Sequence, residues 1–147
     1  MIHCPSPLSD RVDMRGRIGL LLTDEDLSPE PVVPTARAMA GLGSLAAGGP
    51  GAFATAALTD RLAGAPCISD ADGIVAWADQ ERLETVVTAY APVGPTADRL
   101  RALSDALRGR GIGFARIVRR WDASCWPHAT KGYFPFKENI PAILKAL

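Results

Sequence analysis

The sequence predicts a single doubly wound (Rossmann-like) α/β domain of about five parallel strands. Three observations carry that expectation. Short apolar runs alternate with helical patterns, the joints between them are brief and rich in Gly and Pro, and residues 18–23 form an unbroken apolar run that stops at Asp24, Glu25 and Asp26. Such a run is the profile of a strand buried on both faces of a parallel sheet.

The elements follow in chain order. After strand one, Pro34 starts a short expected helix through Met39, and residues 43–47 read as a weak second strand. Residues 52–62 read as a helix with Phe53, Ala57, Leu58 and Leu62 on one face and Gly64 as its stop. Residues 66–69 give a short third strand, and Asp70 caps a helix in which Ile74 and Trp77 share a face. The β-branched run at 85–90 is strand four. A turn over 92–96 then leads into a helix that has proline near its start, is lined by Leu100, Leu103 and Leu107, and is ended by Gly109 and Gly111. Residues 114–118 make the last strand. Beyond it the chain is expected to be irregular, an aromatic stretch ending in a short helix. The reading takes residues 1–15 as an N-terminal extension and 16–147 as the domain.

Composition sets outer bounds. At 147 residues and 48% hydrophobic content, the chain fits one globular domain with a sizeable core. No apolar run approaches the roughly 20 residues of a membrane-spanning helix. The start lacks the basic-then-apolar order of a secretory signal, so the expected location is cytoplasmic, with no membrane partner. Cys4, Cys67 and Cys125 are odd in number and widely spaced, which fits neither a disulfide framework nor a zinc pattern.

The formal net charge of zero conceals a split. Residues 99–147 hold ten Lys or Arg against three acids, whereas residues 1–98 hold six against thirteen. An excess of this kind suits an acidic or polyanionic partner. Arg99, Arg101, Arg108 and Arg110 lie on or just after one expected helix, where a solvated face is the simpler role. The aromatic stretch at 121–137 is a better candidate, because it holds five of the nine aromatics among its cations. Arg120, Trp126, His128, Lys131, Tyr133, Phe134, Phe136 and Lys137 are therefore the candidates for a partner interface or a polyanion.

Ligands of a doubly wound sheet bind at the carboxyl ends of the strands, near the point where strand order reverses. Three segments reach that edge: Thr23, Asp24 and Asp26 after strand one, Val93 and Gly94 after strand four, and Arg119 and Trp121 after strand five. These are the cofactor-binding candidates. Asp24 and Asp26 have the hard oxygens that Mg²⁺ takes, but capping by such acids is the commoner role, and no metal ligand is assigned. Residues 48–51 are either an anion cradle or a plain turn, and no Gly-x-Gly-x-x-Gly pattern follows a strand. With His3 and His128 the only histidines, no catalytic residue is assigned.

The second half of the chain resembles a known family. Its strand, its helix ending in Gly111-Ile112, its next strand and its aromatic stretch close on Tyr133-Phe134-Pro135-Phe136-Lys137-Glu138-Asn139-Ile140-Pro141. That order resembles the amino-terminal α/β domain of the DNA photolyase and cryptochrome family over residues 84–147, and residues 18–27 look like that domain's first strand and loop. The family's loop after strand one is usually basic; here it is acidic.

The resemblance implies an α/β module that packs on a flavin-binding helical domain or subunit, reaches DNA only through that assembly, and is not catalytic alone. It also implies an antenna chromophore, a flavin, deazaflavin or reduced folate, with FAD itself held only by the helical domain. Trp121, Trp126, Tyr133, Phe134 and Phe136 then form the seam or line the chromophore crevice. The alternatives are a stand-alone nucleotide-binding module of the universal-stress type, or a Mg²⁺-dependent phosphatase-like enzyme using Asp24 and Asp26.

Overall fold

The apolar run after Arg17 forms β1 (Ile18–Leu22), buried along its whole length. In the computed structural model, which describes residues 16–23, 26–27, 29, 32–40, 56–57, 60, 64–91, 93–129 and 131–146, this strand is the middle of a five-stranded sheet. The others are β2 (Ala36–Ala40), β3 (Cys67–Ile68), β4 (Thr85–Ala89) and β5 (Gly113–Ile117). Their order is β3-β2-β1-β4-β5 and every pairing is parallel. The doubly wound α/β fold expected from the sequence is therefore present.

Connections decide which face each helix covers. The chain steps outward from β1 through β2 to β3, then crosses to the opposite side for β4 and β5. Right-handed crossovers in opposite directions lie on opposite faces of a sheet. Accordingly α1 (Ala71–Gln80) and α2 (Pro95–Gly109), which follow β3 and β4, pack together on one face. There Ile74, Trp77, Leu100, Leu103 and Leu107 share a core with Leu21 and Val86. On the other face Leu27 and Ala65 pack on Leu20 and Leu22, and Val32 packs with Ile18, Val87 and Ala115.

Local chemistry explains the better-read elements. Asp70 caps α1 by accepting from the Gly73 amide at 2.7 Å, as its position before the apolar periodicity implies. Gly19 interrupts an otherwise bulky strand because a Cβ there would meet the Leu83 and Trp77 side chains. Leu100, Leu103 and Leu107, spaced three and four apart, are all within 1% of complete burial.

Two expectations need correction. Residues 34–39 are not a helix, since Ala36–Ala40 is strand β2. The helix-favouring Ala and Met content is overridden by pairing, because β2 fills the flank of β1 opposite β4 in register Gly19 to Ala36. The Thr35 amide also donates to the Ile18 carbonyl at 2.7 Å, which fixes the entry of the strand. The stretch after β5 is not irregular either. It forms α3 (Arg120–Cys125), a 3₁₀ turn (Trp126–His128) and the longer α4 (Tyr133–Ala146). The aromatics are distributed around helices, and Pro135 and Pro141 are accommodated at the first turn and within α4.

The expected strand at 43–47 and the glycine turn at 48–51 lie outside the described residues. Of the expected helix at 52–62, Ala56, Ala57 and Asp60 are described, and they are helical. The chain divides into two compact units, an α/β unit Val12–Ile117 and a second unit Val118–Leu147 with Met1–Arg11. The domain read at 16–147 spans parts of both. Among the described residues no helix is long and apolar enough to cross a membrane.

Candidate functional site

The reversal of strand order falls between β1 and β4, so the candidate crevice lies at their carboxyl ends. At the end of β1 the chain turns tightly: Thr23 is buried, and the Asp26 amide donates to its carbonyl at 3.3 Å. Asp26 is half-buried, and Asp24 lies outside the described residues. After β4 the Tyr90 amide still donates to the Ile117 carbonyl at 2.8 Å, and Ala91 is buried. Val93 then stands 96% exposed, and Gly94 turns the chain into α2.

Gly94 is suited to this corner because its φ of 147° lies where side chains are disfavoured. Pro95 occupies the start of the helix, no side chain caps it, and the Asp98 amide donates to the Gly94 carbonyl at 3.1 Å. Thr23, Asp26, Val93 and Gly94 thus belong to the α/β unit and sit at its switch point. Arg119 and Trp121 belong to the second unit, where Arg119 Nε donates to Asp122 Oδ2 at 2.7 Å.

Sequence reasoning missed two open clefts lined by described residues at the amino ends of the strands. One, of about 950 Å³, runs between the starts of β2 and β3 and the end of α1, lined by Arg37, Pro66, Ile68, Gly73 and Trp77 among others. The other, of about 530 Å³, is lined by Glu84, Thr85, Ile112 and the ion pair of Asp79 with Arg110 at 2.6 Å. The sequence signal for the first is the run of small residues in its lining, Gly64, Ala65, Gly73 and Ala76.

The second unit holds the other candidates. Tyr133 and Phe134 are 64% and 77% exposed and meet edge to face, ring centroids 5.6 Å apart at 68°. Trp121 is also exposed, whereas Trp126 and Phe136 are half-buried. Arg120, His128, Lys131 and Lys137 are exposed, and the Arg120 carbonyl accepts from the Ser124 hydroxyl at 2.8 Å.

The arginines of α2 are different: Arg101 and Arg108 pair with Asp98 and Asp105, each at 2.9 Å. That is the solvated helix face the simpler reading expected. Among the described residues no group of three or more His, Cys, Asp or Glu is placed to hold a metal ion. Compared with protein-family models, curated proteins and solved structures, the chain matches none.

Proposed function

We propose that this chain is a photolyase-related α/β module that holds an antenna chromophore at the carboxyl ends of β1 and β4 and packs on a flavin-binding domain or subunit. The observation that supports it best is the strand order β3-β2-β1-β4-β5, which puts the switch point beside the uncapped start of α2 at Gly94 and Pro95. Free amides at a helix start favour the phosphate or carboxylate tail that flavins and folates carry. The half-exposed Trp121 and half-buried Trp126 supply aromatic area for a seam with the partner.

In this role the chain performs no bond chemistry. It positions an absorbing ring system near the partner's flavin and excludes water around it, while the flavin domain acts on DNA. The same crevice also favours a second reading, a stand-alone module of the universal-stress type that binds a nucleotide through the same helix start.

The test is the absorption spectrum of the purified chain after incubation with flavin, deazaflavin or reduced folate and removal of free ligand, with ATP binding measured in parallel. The expected result is a retained near-ultraviolet or blue band that Gly94→Leu abolishes, since a side chain at that φ strains the corner. ATP binding with no retained chromophore favours the nucleotide module. A chain that retains neither overturns both readings.

A further inference from the structure

The outer side of α4 carries exposed aromatics and lysines that the proposed chromophore site at the ends of β1 and β4 does not use. A helix turns about 100° per residue, so Tyr133, Lys137 and Leu144 fall along one line and Phe134, Pro141 and Lys145 along an adjacent one. All six are exposed, while Phe136, Asn139 and Ile140 are half-buried and Ile143 is buried on the other side of the helix. The edge-to-face pair of Tyr133 and Phe134 is bracketed by the exposed Lys131 and Lys137. Glu138 is the single acid of the helix. Lys131, Lys137 and Lys145 make no ion pair among the described residues, unlike Arg101 and Arg108 of α2.

We infer that this face binds single-stranded nucleic acid, with bases stacked on Phe134 and Tyr133 and phosphates neutralised by Lys131, Lys137 and Lys145. Charge complementarity selects the occupant, because Lys131 and Lys137 flank the aromatic pair and Glu138 is the one acid beside them. A base offers a ring a large polarisable face without regard to sequence, and each phosphate gives a lysine a partner while releasing a bound counterion. An apolar protein groove fits less well, because Lys137 lies between the aromatic pair and Leu144 and its ammonium would lose water in a dry seam. The inference stands on α4 and does not depend on a chromophore at the strand ends.

The test is fluorescence anisotropy of the full chain with a labelled oligothymidylate of about 16 nucleotides. With three lysines engaged, log K is expected to fall against log salt with a slope of about −2, and Lys137→Gln to reduce that slope by about 0.7. Phe134→Ala is expected to weaken binding about tenfold with the slope unchanged, and Phe134→Trp to retain it. Unchanged circular dichroism of all three variants excludes misfolding as the cause.

No binding at low salt overturns the inference. So does affinity that ignores Phe134→Ala, or a polyglutamate peptide that binds as well as the oligonucleotide, the last assigning the face to an acidic protein. Chromophore retention is read separately, so failure here leaves the reading of the strand-end crevice standing or falling by its own spectrum.

Discussion

Thr88 is fully buried in β4, and its Oγ1 finds no hydrogen-bond partner. A hydroxyl taken out of water without a partner forfeits about 1–3 kcal/mol of solvation. Valine has the same branched shape and β preference without that loss. Thr88→Val is therefore expected to raise stability by about 1 kcal/mol, read as a higher urea midpoint at unchanged m-value. A lower midpoint would mean that the hydroxyl has a partner in solution. The strand itself was legible in the β-branched run at 85–90, but the unpaired hydroxyl was not, since partners are fixed by neighbours distant in sequence. Asp70 is the opposite case, because a cap bonds an amide three residues away and its signal is local.

Among the described helices, α2 was the most legible and has the most buried residues, five. Leu103 is completely buried between the sheet and α1, so Leu103→Ala is expected to destabilise the chain by about 2–5 kcal/mol, measured by thermal or urea unfolding. A loss below about 1 kcal/mol would show that the core collapses around the gap. β2 departs from expectation because its sequence favours a helix, and only the unpaired flank of β1 makes it a strand. The stretch after β5 was misread in the other direction. Aromatics and prolines suggested irregular backbone, yet Pro135 falls in the first turn of α4, where a missing amide hydrogen costs little. Asn139 Nδ2 then donates to the Pro135 carbonyl at 2.8 Å, giving that turn a further bond.

At the scale of the whole molecule, burial is concentrated in the central strands. β1 and β4 are buried at every position, whereas α4 has one buried residue, Ile143. Native-state hydrogen exchange is expected to place the amides of β1 and β4 at the global unfolding free energy and those of α4 well below it. Equal protection of α4 would make the two units one cooperative body. The charge split has a distributed meaning too. Part of the positive excess lies in exposed ion pairs on α2, each worth about 0–1 kcal/mol, while the lysines around α4 have no such partners among the described residues. A count along the sequence cannot separate those two populations, because pairing depends on which side chains face each other.

The sequence by itself determined the α/β class, the central strand, strand four, the capped and leucine-lined helices and the aromatic richness of the chain's end, because periodicity, capping and composition act over a few residues. It also indicated the strand-end segments at Thr23 and Gly94 as neighbours of a switch point. Only the tertiary structure decided that residues 36–40 join the sheet, that the strand order reverses between β1 and β4, and which aromatics face water. Those outcomes depend on pairing and packing between residues far apart in the chain, and a backbone's local preference of a few tenths of a kilocalorie yields to such contacts.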